Sequence, residues 1–273
     1  IYHQLEHHRD AIAQLADLGP IADTRGVYIA TSLASAELIK VTANAFLALK
    51  ISFANSIAKL SDQVGADIVD VMEAVGADKR IGVDFLQAGR GYGGGCFPKD
   101  VSGLIASGLE YGVKLDIMDA AQTLNESMPS YIVEKILQAN GGTLAGLRIA
   151  VLGLAFKAGT SDVRRSPGVA IANILRRAGA QVVTYDPQAQ SEARDELHTN
   201  ITQVNTLDEA IQAADITIVT TGWPDILNYK PQAYAQKMHG HLFVDAINQF
   251  TPTEITAASL DYIGVGRQSG TIE

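Results

Sequence analysis

Apolar positions recur at helical spacing over residues 4–18, where Leu5, Ile12, Leu15 and Leu18 predict a helix that Gly19-Pro20 stops. Residues 26–31, GVYIAT, read as a short strand. From about Ser32 to Val64 the pattern turns helical again, through Leu38, Val41, Ala45, Leu49, Phe53, Ile57 and Leu60, with no Pro or Gly inside. A helix of that length runs to about 50 Å and predicts a spine between domains or an interface between subunits. Gly65 ends it, and a short helix follows over 67–75. Further helices are expected over 100–111 and 115–127, and another from Pro129 to Gln138.

After Gly141-Gly142 the period changes. Strands are expected over 148–154, 181–185, 216–220 and 242–245, with helices over 167–178 and 207–214, the former capped by Ser166 and closed by Gly179. Strands that alternate with helices predict a parallel sheet covered on both faces. The expected class is therefore α/β: a central all-helical part with a long spine helix, then a doubly wound, Rossmann-like sheet, with the boundary near residue 130.

Composition narrows the function classes. An apolar fraction of 47% supports a packed core, and a formal charge of −9 without a long basic run argues against nucleic acid. No run of about 18 uninterrupted apolar residues appears, so no membrane span is expected. One cysteine, Cys96, makes a reducing, cytoplasmic setting the expectation. The six histidines do not fall at metal-ligand spacing with Cys or carboxylates, so no metal is expected.

Three segments carry chemistry. Between Gly89 and Gly95, five of seven residues are glycine, followed by Cys96-Phe97-Pro98-Lys99-Asp100. Glycines admit a ligand close to the backbone, and a thiol before a helix start, beside Lys99, gains thiolate character. The plainer alternative is a buried, inert cysteine. On the long helix, Lys40 and Asn44 share a face one turn apart, with Glu37 as an alternative surface partner for Lys40. After the first strand of the sheet, GLAFKAGTSDVRRSP places Lys157, Arg164 and Arg165 where doubly wound folds bind ligands, without a G-x-G-x-x-G fingerprint. The alternative there is an ordinary solvated loop.

These segments, with Ala36-Glu37-Leu38-Ile39-Lys40 through Asn44-Ala45-Phe46-Leu47, Arg80-Ile81-Gly82 and Phe85-Leu86, resemble the UDP-glucose/GDP-mannose dehydrogenase family over nearly the whole chain. The resemblance implies three parts: residues 1–31 as the tail of an upstream NAD-binding domain, 32–129 as a central helical dimerisation domain, and 130–273 as the nucleotide-sugar domain. It implies a four-electron oxidation at C6 with NAD, UDP-glucose to UDP-glucuronate, through a thiohemiacetal and a thioester on Cys96. Lys40 and Asn44 would stabilise the oxyanion, and Asp100 would hold or activate water. Phe85, Leu86, Gln87, Gly91, Tyr92 and Gly93 would wrap the substrate, with Phe156 and Lys157 on sugar and phosphates. Lys99 and Arg164 match NAD-contacting positions. Arg80 matches an arginine that serves a neighbouring subunit, which implies a homodimer built on the long helix. Two positions depart from the family pattern: Gly95 replaces a serine, with little expected effect on the loop, and Asn248 stands where UDP-glucose enzymes carry an arginine. The second departure raises GDP-mannose as the alternative substrate. A non-catalytic nucleotide-sugar-binding protein is the alternative of a different class.

Overall fold

In the computed structural model residues 31–267 are described; the helix expected over 4–18 lies outside them, as does the strand expected over 26–31 but for its last residue. The chain begins with α1 (Leu33–Val64), the expected spine, capped by the Ser32 side chain on Ser35 N and closed by Gly65 in the left-handed region at φ 75°. At 1.5 Å per residue it is about 48 Å long. Its inner face buries small residues, Ala45, Ala48, Ser52, Ala54, Asn55, Ala58 and Ser61, so neighbouring helices approach its backbone closely. By length and mean hydropathy, 1.2 over its most apolar window, α1 could cross a membrane, against the expectation from uninterrupted apolar runs. However, Lys40, Asn44, Lys59 and Asp62 on the same helix bond to the rest of the fold, as expected of a core helix.

Helix α2 (Ile68–Gly76) follows, then an irregular stretch, α3 (Phe97–Glu110) and α4 (Asp116–Ala139). Two boundaries differ from expectation. Helix α3 starts at Phe97 rather than residue 100, because Pro98 in the first turn needs no N–H partner. The helices expected over 115–127 and from Pro129 are one continuous helix, with Pro129 inside it and passing through residue 130. Proline there removes the bond to the carbonyl four residues back, that of Asn125. That carbonyl lies beside Gly91, and the Asn125 side chain is engaged by the glycine loop. Packing on both sides of the proline therefore overrides its helix-breaking tendency.

The second half alternates β1 (Arg148–Leu152), α5 (Pro167–Arg177), β2 (Gln181–Tyr185), α6 (Gln190–Ala193), β3 (Thr202–Gln203), α7 (Leu207–Ile211), β4 (Ile216–Val219), α8 (Pro224–Leu227), α9 (Pro231–Lys237), β5 (Leu242–Asp245), α10 (Pro252–Ala257) and β6 (Asp261–Gly264). All neighbouring strands are parallel, in the order β3-β2-β1-β4-β5-β6. This is the doubly wound order, with its switch point between β1 and β4. Ile149 to Leu152 and Ile216 to Val219 are shut off from solvent, as central strands covered on both faces must be. The edge strands β3 and β6 escape the sequence reading: β3 has two residues and β6 follows a polar turn.

One core joins the halves. Ala54 and Ala58 of α1, Ile68 and Met72 of α2, and Met128, Ile132 and Ile136 of α4 pack continuously with the sheet. Asp62 strengthens the joint by accepting from Tyr131 Oη at 2.5 Å, from Lys135 and from Gly266 N. The carboxyl ends of β1, β4 and β5 are thus held against the segment between α2 and α3.

Candidate active site

Cys96 is the N-cap residue of α3, with an exposed thiol and no side-chain cap bond. The inert buried alternative is excluded by that exposure. One turn on, the Asp100 carboxylate is 2% exposed and collects three donors. Lys40 pairs with Oδ2, Asn44 Nδ2 donates to Oδ2 at 2.6 Å, and Lys99 Nζ lies 2.9 Å from Oδ1. The helical spacing of Lys40 and Asn44 is what lets two residues of α1 converge on one oxygen of α3. Lys40 therefore pairs with Asp100 and not with Glu37. Burial pushes the Asp100 carboxyl up, but the bonds from Lys40, Lys99 and Asn44 outweigh it and hold the group down at about 2.

Cations flank the thiol. Lys99 is raised mainly by its bond to Asp100, with a smaller contribution from a negative Cys96. Arg164, raised mainly by Asp162, also feels Cys96; it grips Asp162 in a fork at 3.0 and 2.7 Å.

The glycines account for the loop's closeness to the sheet. A Cβ on Gly93 would fall 2.3 Å from the Arg165 carbonyl oxygen, and Gly94, at φ 82°, lies flat against the Phe156 ring. Gly94 N also donates to Arg164 O at 2.8 Å, fixing the Cys loop to the loop after β1. At Gly95, where the resemblance expects serine, a Cβ would sit 2.6 Å from Arg164 Nη2, the far end of an exposed side chain that can shift, consistent with little effect on the loop.

The remaining predicted residues divide. Phe156 and Lys157 stand at the carboxyl end of β1, with Lys157 Nζ 5.6 Å above the Phe156 ring. Leu86 and Gln87 line a cavity of about 450 Å³ with Val69, Met72, Ile247 and Asn248, beyond the carboxyl end of β5. Phe85, at φ 63°, is exposed and packs on Phe97 at 5.8 Å between ring centres. Tyr92 is 7% exposed, edge-on to Phe97 in a small core with Ala45, Ala48 and Val101, and it also lines a cavity with Pro98, Asn125 and Arg165. Gly91 supplies a left-handed turn beside Asn125. Arg80 is exposed and, among the described residues, bonds only to Asp78; it is not gathered with Cys96 in this chain.

Asn248 explains its own departure from the family pattern. At φ 54°, its Nδ2 donates to Ala88 O at 3.2 Å and Val265 O at 2.8 Å, and its Oδ1 accepts from Val265 N at 2.9 Å. It ties the start of the glycine loop to the end of β6. Sequence reasoning also misses Asn125, which brackets Tyr92 N and O at 2.8 and 3.0 Å, and Asn55, which accepts from Gly89 N at 2.8 Å. An isolated asparagine on a helix carries no signal that it reaches another segment's backbone.

Comparison with known proteins bears on this arrangement. The chain matches the central domain of the UDP-glucose/GDP-mannose dehydrogenase family over residues 34–127 and the UDP binding domain of the same family over 150–252. The UDP-glucose 6-dehydrogenase YwqF of Bacillus subtilis (strain 168) is 41% identical over 241 residues, 88% of this chain and 54% of its own. A UDP-glucose dehydrogenase structure from Pyrobaculum islandicum superimposes with a TM-score of 0.81 at 36% identity, covering 95% of this chain and 57% of that one. A GDP-mannose dehydrogenase structure from Pseudomonas aeruginosa gives 0.53 at 25% identity, over 86% of this chain and 54% of that one. The chain spans about half the length of the curated relatives it matches.

Proposed function

Because the chain belongs to the UDP-glucose/GDP-mannose dehydrogenase family, we propose that it is the catalytic and substrate-binding part of a nucleotide-sugar 6-dehydrogenase, with UDP-glucose as substrate and UDP-glucuronate as product. The observation that carries the reading is the convergence of Lys40, Asn44 and Lys99 on buried Asp100, one turn from the exposed Cys96 thiol. A protein that only bound nucleotide sugars would have no use for that cluster. UDP-glucose is favoured over GDP-mannose by the higher likeness to UDP-glucose enzymes, and Asn248 is taken up by structural bonds in place of a substrate charge.

Lys99 and Arg164, exposed cations on either side of the Cys96 thiol, fit an anionic dinucleotide. NAD would supply the hydride acceptor for both oxidations. The chain's own residues do the rest. The Cys96 thiolate adds to the C6 aldehyde, forming a C–S bond and an oxyanion that Lys40 and Asn44 meet with donors. The adduct keeps one hydrogen on C6, so a second hydride can leave from the same carbon and a thioester results. Water adds to the thioester, the C–S bond breaks, and Cys96 departs as thiolate, releasing the carboxylate while the two protons of the water pass to solvent. Asp100 holds Lys40 and Asn44 in place for both oxyanions.

Calorimetric titration of the chain with UDP-glucose and with GDP-mannose tests the substrate. UDP-glucose is expected to bind at least about tenfold more tightly, roughly 1.4 kcal/mol; tighter binding of GDP-mannose moves the activity to the sister substrate.

The outer face of α1 supports a homodimer. Ile39, Phe46, Phe53 and Leu60 recur every seven residues and are 52%, 58%, 48% and 57% exposed, a stripe suited to the same helix of a second copy. Exposed Arg80 is then available to the second copy's site. Replacing Phe46 and Phe53 together by Asp is expected to convert the dimer to a monomer in sedimentation velocity; an unchanged sedimentation coefficient refutes the interface.

A further inference from the structure

Arg90 lies in the glycine loop and is 6% exposed, yet among the described residues no carboxylate bonds to it. Its backbone N–H donates to Ala246 O at 2.7 Å, after β5. Its Nη2 donates to Phe156 O at 2.7 Å, with Ala155 O at 3.5 Å, and its Nη1 is buried without an acceptor. The carboxylate whose field reaches it, Asp186 after β2, is fully occupied. Its Oδ2 takes the N–H groups of Leu154 and Ala155 and the Trp223 indole, and its Oδ1 takes Gln188 and Ala189. Burial pushes the Arg90 guanidinium down to about 10, against the field of Asp186. Arginine titrating there is still a cation at neutral pH.

The location gives this charge a use. β1 and β4 are neighbours whose chains leave in opposite directions, and the opening beyond their carboxyl ends is where doubly wound folds place a ligand. The loop after β1 forms one wall, with Phe156 over Gly94 and Lys157 above the Phe156 ring. Arg90 holds that wall from within.

We propose that Arg90 is a positioning residue for diphosphate binding: its guanidinium fixes the carbonyls that set the stance of Phe156 and Lys157, and its incompletely matched charge makes the crevice favour an anion. The proposal rests on the nucleotide-sugar reading above. The two components separate chemically. Lysine keeps the charge but not the planar guanidinium whose Nη2 meets the Phe156 carbonyl, and methionine loses both.

Calorimetry with UDP and with uridine, on the wild-type chain, R90K and R90M, tests this. R90M is expected to weaken UDP about tenfold or more while uridine changes less than about twofold, and R90K to recover part of the loss. A role in packing alone predicts a lower unfolding midpoint with UDP and uridine affected alike; that result, or unchanged UDP affinity, overturns the proposal. Should R90M not fold, R90K carries the comparison, with a selective loss for UDP supporting the proposal and equal losses overturning it. A wild-type chain that binds neither ligand overturns the nucleotide reading itself, and the Arg90 proposal with it.

Discussion

Replacing Cys96 by Ser in the protein expressed from its full reading frame is expected to lower uronate formation by about a thousandfold or more. Serine is nearly isosteric, and Cys96 makes no side-chain cap bond that the change would disturb. The unfolding midpoint should therefore stay within about a degree or two, the response of a surface substitution away from special features. The loss is chemical. A serine hydroxyl is a far weaker nucleophile than a cysteine sulfur. An alkoxide is also a poorer leaving group than a thiolate, so any ester formed on the substituted hydroxyl would be released slowly. Two readouts discriminate. Denaturing mass spectrometry of the variant during turnover should show either no adduct or a long-lived ester, and the wild type a transient thioester. Alkylation by iodoacetamide should inactivate the wild type and leave the residual rate of the variant untouched. A C96S protein that completes both oxidations at the normal rate would falsify the covalent route.

The long helix, the four central strands, the cap at Ser166 and the chemistry near Cys96 are legible in the sequence because each rests on a local signal. These signals are periodicity, an N-cap followed by Pro, or a dense run of glycine ending in Cys. What is not legible depends on pairing between distant segments. Pro129 reads as a helix start, and only the packing of α4 on α1 and α5 shows why the helix continues through it. Nothing in the sequence around Tyr92 shows that its ring packs in the small core under α1. Asn55, Asn125 and Asn248 look ordinary in sequence and turn out to pin the ends and middle of the loop. Arg90 gives no sign that its guanidinium turns inward. For the three asparagines and Arg90, a polar side chain satisfies a backbone group of another segment, an interaction that leaves no period or spacing behind it.

Asp100 bears on the final step of the reaction, and its environment decides what it can do there. Efficient proton transfer near neutral pH calls for a group whose affinity for protons is near that pH. A carboxylate held at about 2 by Lys40, Lys99 and Asn44 is a poor proton acceptor. In the proposed reaction its part would be to keep Lys40 and Asn44, which it holds through one carboxylate oxygen, aimed at the carbon carried by Cys96. Asp100→Asn is therefore expected to reduce turnover by about a hundredfold to a thousandfold, the range of losing one oxyanion donor, because Lys40 loses its counter-charge and swings towards solvent. The thioester should accumulate in the variant, detectable by acid quench and mass spectrometry. The pH dependence follows from the sign of the shift. The carboxyl's folded value, about 2, lies below its ordinary 3.8. The stabilisation it provides is thus fully present above about pH 4 and is lost as the pH falls through about 2. Wild type should accordingly be more stable than the Asn variant by on the order of 2 kcal/mol at pH 6, and the two melting curves should converge between pH 4 and 2. Above pH 5 the turnover of the wild type should show no titration from this carboxyl. An acidic limb between pH 5 and 7 that disappears in the Asn variant would assign Asp100 as the proton acceptor instead and refute the positioning role.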